Sequence, residues 1–392
     1  MYSSTVNISK KHSFFLFGAR GTGKSCLLQR LFEPEKILWI DLLQPSEFEI
    51  LNREPGDLSR RIEALNPKQT HIIIDEIQRI PKLLNLVHHH IESSKQSNKK
   101  RILFGLTGSS ARKLGRGSAN LLAGRALVYS LFPLTHIELE NDFNMDHSLQ
   151  WGTLPEVVNE PDVEIKRKIL QAYTHTYLKE EVQAEQLIRK LDPFHLFLSI
   201  AAQMSGKIIN YSSIARECGA SDASVREYFH ILEDTLIGFH LAPFHESIRK
   251  RQRQNPKFYI FDNGVLRSLS SRLTIPLASR TSSYGDAFEN WLICEVYRLI
   301  SYAENDFALS YLRTKDDAEI DLIIERPGLP KALVEIKSVT HIDSHDLTSL
   351  KAFARDVGNS EAFCLSQDPN SKIIDGIKVL PWRLGLKELG LG

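Results

Sequence analysis

Cysteine is scarce: the 392-residue chain has four, Cys26, Cys218, Cys294 and Cys364. They lie far apart with no C-x-x-C pair, so neither a zinc site nor a disulfide framework is suggested, and a reducing, cytoplasmic setting is expected. Long apolar runs are missing as well. None approaches the roughly 18 residues that a membrane helix needs. The apolar run at 14–17 ends at a glycine and is too short for the h-region of a signal peptide, so no membrane partner is expected. Charge of one sign is lacking in total: 49 Lys and Arg oppose 48 Asp and Glu, leaving +1. A nucleic-acid site would therefore have to be a local patch. Internal repeats and long low-complexity tracts are absent. What remains is an ordinary globular composition, 42% hydrophobic and 25% charged. A chain this long exceeds what one hydrophobic core serves, so two to four domains are expected.

The most informative stretch is Gly18-Ala19-Arg20-Gly21-Thr22-Gly23-Lys24-Ser25. It follows the apolar run Phe14-Phe15-Leu16-Phe17 and precedes a helical pattern that starts at Cys26. Strand, glycine-rich turn and helix form the setting of a phosphate-binding P-loop. The glycines let backbone N–H groups approach phosphate oxygens, and the helix N-terminus favours anions. Residues 18–26 are the expected ATP-binding set. Lys24 would reach the β- and γ-phosphates, and the Ser25 hydroxyl would ligate Mg²⁺.

A second strand is expected at 37–42, and a third at His71-Ile72-Ile73-Ile74-Asp75-Glu76. An apolar run ending in two carboxylates about 50 residues after a P-loop reads as a Walker B strand. Asp75 would hold the Mg²⁺ shell, and Glu76 would act as general base on the attacking water. His88-His89-His90 point about 100° apart on a helix and cannot share one metal face. The apolar run 101–106 ends in Thr107, Ser109 and Ser110, and Ser109 is the preferred γ-phosphate sensor. Arginines follow, and Arg125 is the preferred candidate for an arginine finger, in its own site or a neighbour's.

The region 162–189 is strongly helical, and Pro193 opens another helix, so a helical lid over the nucleotide is expected. Residues 210–219 and 221–232 have the spacing of a helix-turn-helix, with Ile214, Ala215, Val225, Tyr228 and Leu232 as its core. Residues 237–241 and 257–261 would be the strands of a wing. Between them Arg249, Lys250, Arg251, Arg253 and Lys257 are candidate phosphate contacts to DNA or RNA; a solvated hairpin is the alternative.

Toward the C-terminus come an amphipathic helix carrying Glu289, a strand carrying Asp321, and a strand carrying Glu335-Ile336-Lys337. Side chains two apart on a strand share a face, so Glu335 and Lys337 point the same way and a neighbouring strand can bring Asp321 beside them. Asp321, Glu335 and Glu289 are the expected ligands of a hard cation. Lys337 would orient a water or stabilise a phosphodiester transition state. This pattern resembles the PD-(D/E)xK nuclease superfamily. A surface ion pair between Glu335 and Lys337 is the bland alternative.

Several segments match one family in order: residues 18–25, 74–78 and 106–110, then Ala123-Gly124-Arg125 with residues 131–134, then 152–156 and 258–264. The chain resembles the prokaryotic AAA-type ATPases that carry a C-terminal DUF4143 domain. Trp151 departs from the family pattern, which usually has a second glycine there. The resemblance implies an α/β multidomain protein: an ATPase core with a parallel sheet at 1–135, a helical lid at 136–205, a winged helix at 206–257 and a mixed α/β, restriction-endonuclease-like domain at 258–392. ATP and Mg²⁺ are the expected cofactors, DNA or RNA and a second copy of the chain the expected partners. The expected function is ATP hydrolysis governing a nuclease-like domain; the alternative is an ATP-dependent switch that binds a protein partner and cuts nothing.

Overall fold

Apolar pentads become the strands of the first sheet: β1 (Ser13–Phe17), β2 (Ile37–Asp41), β3 (His71–Asp75), β4 (Leu103–Gly108) and β5 (Ala126–Ser130). The computed structural model describes residues 2–96, 101–109, 122, 124–177, 191–245, 254–314 and 318–392. The sheet order is β2-β3-β4-β1-β5, and every pairing is parallel. β1, β3 and β4 are buried along their whole length, as continuous apolar runs require in a parallel sheet covered by helices. Phe15, Phe17, Ile72, Ile74, Phe104 and Leu106 share a core with Leu83, Leu84 and Val87 of the helix Leu83–Gln96. Because β4 lies between β1 and β3, its polar end falls between the glycine-rich loop and the Asp75-Glu76 pair.

The chain divides into two compact units, residues 1–133 with 234–236, and residues 134–233 with 237–392. The helices expected as a separate lid at 136–205 are built into the second unit. Asp262 is the knot. Its carboxylate accepts the Thr153 N–H at 2.7 Å and the Val265 N–H at 3.1 Å. Gly152 has φ +76°, and a Cβ there would stand 2.0 Å from Asp262 Oδ1. A Cβ on Gly264 would meet the Trp151 carbonyl oxygen at 2.0 Å. Arg298 adds a bond to Thr153 Oγ1 at 3.2 Å, and Glu295 accepts the His136 N–H at 2.6 Å. The segments 152–156 and 258–264 thus hold a buried polar junction together, which explains their residue types without any ligand.

The second unit contains a mixed eight-stranded sheet of β6 (Gly238–Pro243), β7 (Lys257–Ile260), β8 (Ala308–Arg313), β9 (Glu319–Glu325), β10 (Lys331–Lys337), β11 (Ser360–Ser366), β12 (Lys372–Ile374) and β13 (Ile377–Pro381). Its order is β12-β13-β11-β10-β9-β8-β6-β7. The helix Ser282–Tyr302 buries Phe288, Leu292 and Val296 in the core that includes Leu322, Val334 and Phe363 of the sheet. Ahead of the sheet stand the helices Tyr211–Cys218 and Asp222–Asp234. Asn210 caps the first through the Ser213 N–H at 3.0 Å, and Gly219 at φ +66° ends it. Ile214, Ala215, Val225, Tyr228 and Leu232 are all buried. β6 and β7 form an antiparallel hairpin, but β6 also pairs with β8. The hairpin therefore continues the C-terminal sheet, and a boundary at 257/258 would cut through β7.

One buried pair in this unit makes a pH prediction. Lys166 Nζ lies 2.6 Å from His147 Nε2. Burial, and then the Lys166 charge, push His147 down to about 4. In the unfolded chain the imidazole protonates near its ordinary value of about 6.5. Below that value the unfolded chain binds a proton the folded one refuses, so stability falls as pH drops from 6.5 toward 4. The difference is on the order of 3 kcal/mol at most. Chemical unfolding across that window should show a flatter acid limb for His147→Gln than for the wild type; parallel curves would refute the assignment.

Candidate functional sites

The loop after β1 leaves the sheet through the Gly18 N–H, which donates to the Gly108 carbonyl at 3.2 Å. A Cβ on Gly18 would stand 2.6 Å from the Leu131 carbonyl oxygen. Gly21 and Gly23 have φ of +80° and +93°, the left-handed region that glycine enters freely. The helix Lys24–Leu31 starts directly after. Lys24 is 7% exposed, and its ammonium turns back to the Gly18 carbonyl at 2.7 Å and the Ala19 carbonyl at 3.4 Å. Thr22 Oγ1 donates to the Ala19 carbonyl at 2.8 Å. Arg20 and Cys26 are exposed. Ser25 Oγ donates to Asp75 Oδ2 at 2.6 Å, so a hydroxyl and a carboxylate separated by 50 residues meet where a divalent cation would be shared.

Asp75 is buried, and its other oxygen accepts the Thr107 hydroxyl at the end of β4. Glu76 adopts φ +60°, ψ +46°, a left-handed conformation that costs a non-glycine residue about 1 kcal/mol or more. Its N–H donates to Thr107 Oγ1 at 3.1 Å. Gln78 Nε2 bonds the Glu76 carboxylate and also Ser109 Oγ, the latter at 3.2 Å. Sequence reasoning preferred Ser109, which reaches Glu76 only through Gln78. It passed over Gln78 and ranked Thr107 lower, although Thr107 touches both Asp75 and the Glu76 backbone. The Asp-Glu-x-Gln spacing is the signal that could have found Gln78.

Arg125 stands at the other end of its strand from the glycine loop. β5 runs parallel to β1, with Ser13 opposite Ala126 and Phe17 opposite Ser130. Arg125 therefore precedes the strand-start edge, about 16 Å of strand from the end where the glycine loop begins. Its guanidinium pairs with Glu92 at 2.6 Å.

The C-terminal candidates gather on one face. Val334 pairs with Leu322 and Leu333 with Ile323; continuing that register sets Asp321 opposite Glu335. Asp321 Oδ2 accepts the Ile336 N–H at 2.7 Å. Lys337 Nζ pairs with Glu335 Oε1 at 2.7 Å. Glu289, on the long helix, accepts the Tyr259 hydroxyl at 2.8 Å. Burial, and then the Asp321 charge, push Glu289 up to about 7 and Glu335 up to about 8. Burial also raises Asp321, against the pull of Lys257, the Ile336 N–H and Lys337. Glu335 Oε2 is buried with no hydrogen-bond partner among the described residues. Carboxylates that repel one another, one of them with an orphaned oxygen, fit a hard cation. Glu289, Asp321 and Glu335 are nonetheless absent from the three-ligand groups whose ligand atoms lie within 4.8 Å among the described residues, each being engaged by a partner of its own.

Lys257 requires a correction. Expected as a surface phosphate contact, it is 3% exposed, with Nζ paired to Glu319 and 3.8 Å from Glu289. Position 257 opens β7, beside the acidic face, so its cation neutralises protein carboxylates. Arg249, Lys250, Arg251 and Arg253 lie outside the described residues. Arg226 lies over the Tyr211 ring at 3.8 Å.

An AAA domain is present at residues 10–140 and a DUF4143 domain at 284–384. Residues 143–275 match a further domain of unknown function, DUF8612. Over 282 residues the chain is 28% identical to an uncharacterised protein of Mycobacterium tuberculosis, an alignment covering 70% of this chain and 61% of that one. The chain thus spans less than two thirds of that relative's length. It is also 23% identical over 376 residues to an uncharacterised protein of Methanocaldococcus jannaschii, covering 84% of this chain and 76% of the other. Among solved structures, the Aeropyrum pernix ORC1 protein in complex with DNA aligns at 14% identity and TM-score 0.28 over 67% of this chain and 87% of that one. A Thermotoga maritima RuvB mutant aligns at 17% identity and TM-score 0.31 over 62% of this chain and 87% of that one. No described helix is long and apolar enough to cross a membrane.

Proposed function

We propose that the chain binds and hydrolyses ATP and acts on nucleic acid through a Mg²⁺-dependent, nuclease-like C-terminal site. The observation that carries the ATPase half is the 2.6 Å bond between Ser25 and Asp75 beside an inward-turned Lys24. Mg²⁺ held by Ser25 and Asp75 would neutralise charge on the β- and γ-phosphates. Lys24 exchanges its loop carbonyls for phosphate oxygens. Glu76, aimed by its left-handed backbone and by Gln78, accepts the proton of the attacking water. Ser109 reports the γ-phosphate through the same glutamine. Arg125 acts as an arginine finger on a neighbouring subunit of a homo-oligomer.

Glu76→Gln should lower turnover by about 10²–10⁴-fold while nucleotide affinity stays within a few-fold of wild type, so that ATP is trapped. A collapse of affinity, measured by equilibrium binding, would make Glu76 structural.

In the C-terminal half, Glu289, Asp321 and Glu335 would hold a divalent cation that lowers the pKa of a bound water and neutralises phosphodiester charge. Lys337 leaves Glu335 to orient that water. The helices Tyr211–Cys218 and Asp222–Asp234 with the β6–β7 hairpin are read as a winged helix, and the basic run 249–253 as its phosphate contact. A second reading, a nucleotide switch that binds a protein partner, draws support from the cations Lys257 and Lys337, both neutralised by protein carboxylates. Incubating the chain with single- and double-stranded DNA and RNA, with Mg²⁺ or Mn²⁺ and with or without ATP, separates the two. Absence of cleavage under every condition, with ATP turnover intact, would favour the switch.

A further inference from the structure

The cysteine spacing suggests no zinc site, but two histidines and a glutamate converge elsewhere in the fold. His230 and Glu233 sit three apart on the helix Asp222–Asp234, the spacing that puts side chains on one helix face. His240 reaches the same point from β6. The ligand atoms of these three residues all lie within 4.8 Å of one another. Glu233 Oε2 stands 3.0 Å from His240 Nδ1 and 3.8 Å from His230 Nδ1. Tetrahedral zinc with bonds of about 2.0–2.1 Å needs ligand atoms about 3.3 Å apart, and the two measured distances bracket that value.

Neighbouring groups already orient the set. The His240 N–H donates to Glu233 Oε1 at 3.2 Å, which holds the carboxylate with Oε2 toward both imidazoles, as an outer-shell bond does in metal sites. The rings of Phe229 and Phe258 flank His240 at 5.9 Å and 5.1 Å between centroids, fixing its imidazole plane. The His240 side chain is 16% exposed, but His230 is 59% and Glu233 40% exposed, so an ion can enter from solvent and a water can complete the shell.

We propose that His230, Glu233 and His240 form a transition-metal site of the Zn²⁺ class that clamps the C-terminal turns of the helix to β6. Two imidazoles and one carboxylate suit zinc-type ions, whereas Mg²⁺ and Ca²⁺ prefer oxygen-only shells. The site is therefore chemically distinct from the acidic face around Asp321 and from the Ser25–Asp75 pair, and it stands whether or not either of those is catalytic. An ion there adds a coordinate tie between the helix and the hairpin to the ring packing of Phe229 on Phe258 and the Glu233–His240 hydrogen bonds.

The test uses the full chain, stripped with a chelator and titrated with Co²⁺ as a visible probe, then with Zn²⁺ in competition. One equivalent of Co²⁺ should develop d–d absorption, and Zn²⁺ should displace it. His230→Ala and Glu233→Gln should each weaken binding by about tenfold or more. His230 is largely exposed, so its replacement should leave the metal-free unfolding curve unchanged. His89→Ala removes an exposed histidine elsewhere and should leave Co²⁺ affinity intact. Zinc should also raise the unfolding midpoint of the wild type but not of His230→Ala, since an ion that binds only the folded state stabilises it. Failure of the wild type to bind one equivalent, or equal affinity in both site variants and wild type, overturns the assignment.

Discussion

Lys24→Ala is expected to lower ATP turnover by about 10²–10³-fold or more, the scale on which a preorganised charge at a transferring phosphoryl group acts. The ammonium is buried and its partners are the loop carbonyls of Gly18 and Ala19. The charge is therefore largely withdrawn from solvent inside the loop proposed to hold the phosphates. Truncation removes that charge and leaves two carbonyls facing one another in the loop. Steady-state phosphate release measures the first effect, and a chemical unfolding curve separates it from loss of fold. Unchanged turnover with an intact fold would end the P-loop assignment. Any metal-dependent cleavage of nucleic acid assayed without ATP should survive the substitution, because the residues proposed to carry it lie in the other compact unit.

Asp321→Ala and Lys337→Ala should have the opposite profile, removing phosphodiester cleavage by about 10²–10³-fold while sparing ATP turnover. Asp321 is the carboxylate whose charge, after burial, raises both Glu289 and Glu335. Its removal should let both ionise at lower pH. For the wild type the proton competes with the cation, since ligands must be deprotonated to bind it. With Glu335 at about 8 and Glu289 at about 7, the Mg²⁺ concentration needed for half-maximal binding should fall as pH rises from 6 to 8. In Asp321→Ala that pH dependence should shrink, readable by calorimetry without any nuclease assay. Equal loss of ATP turnover and cleavage in these variants would mean destabilisation, and a pH-independent Mg²⁺ requirement would remove the coupled carboxylates from the cation site.

The local patterns were legible because each is a short-range constraint. Continuous apolar runs marked β1, β3 and β4, since a strand covered on both faces leaves no position for a polar residue. The glycines of 18–23 are short-range constraints too: positive φ at Gly21 and Gly23 disfavours any side chain, and the close approach of Leu131 leaves no room for one on Gly18. Alternation placed Glu335 and Lys337 on one face before any register was known. Lys257 was misread because five cations in nine residues look like one patch, and nothing local says that the last of them enters β7. The place of Arg125 depends on which end of a parallel strand it precedes, and nothing local records that.

By itself, then, the sequence determined the strands, the phosphate loop, the Asp75-Glu76 pair and the identity of the residues that bear charge. Those choices follow from backbone sterics and from the period of a strand or helix, both set within a few residues. Only the tertiary structure decided what those charges meet. Gln78 bridging Glu76 and Ser109, Thr107 on Asp75, Lys257 among carboxylates, and His240 beside His230 and Glu233 are all consequences of packing. A contact between residues distant in the chain costs loop entropy and is made only when a shared core holds the elements together, and no local pattern records that.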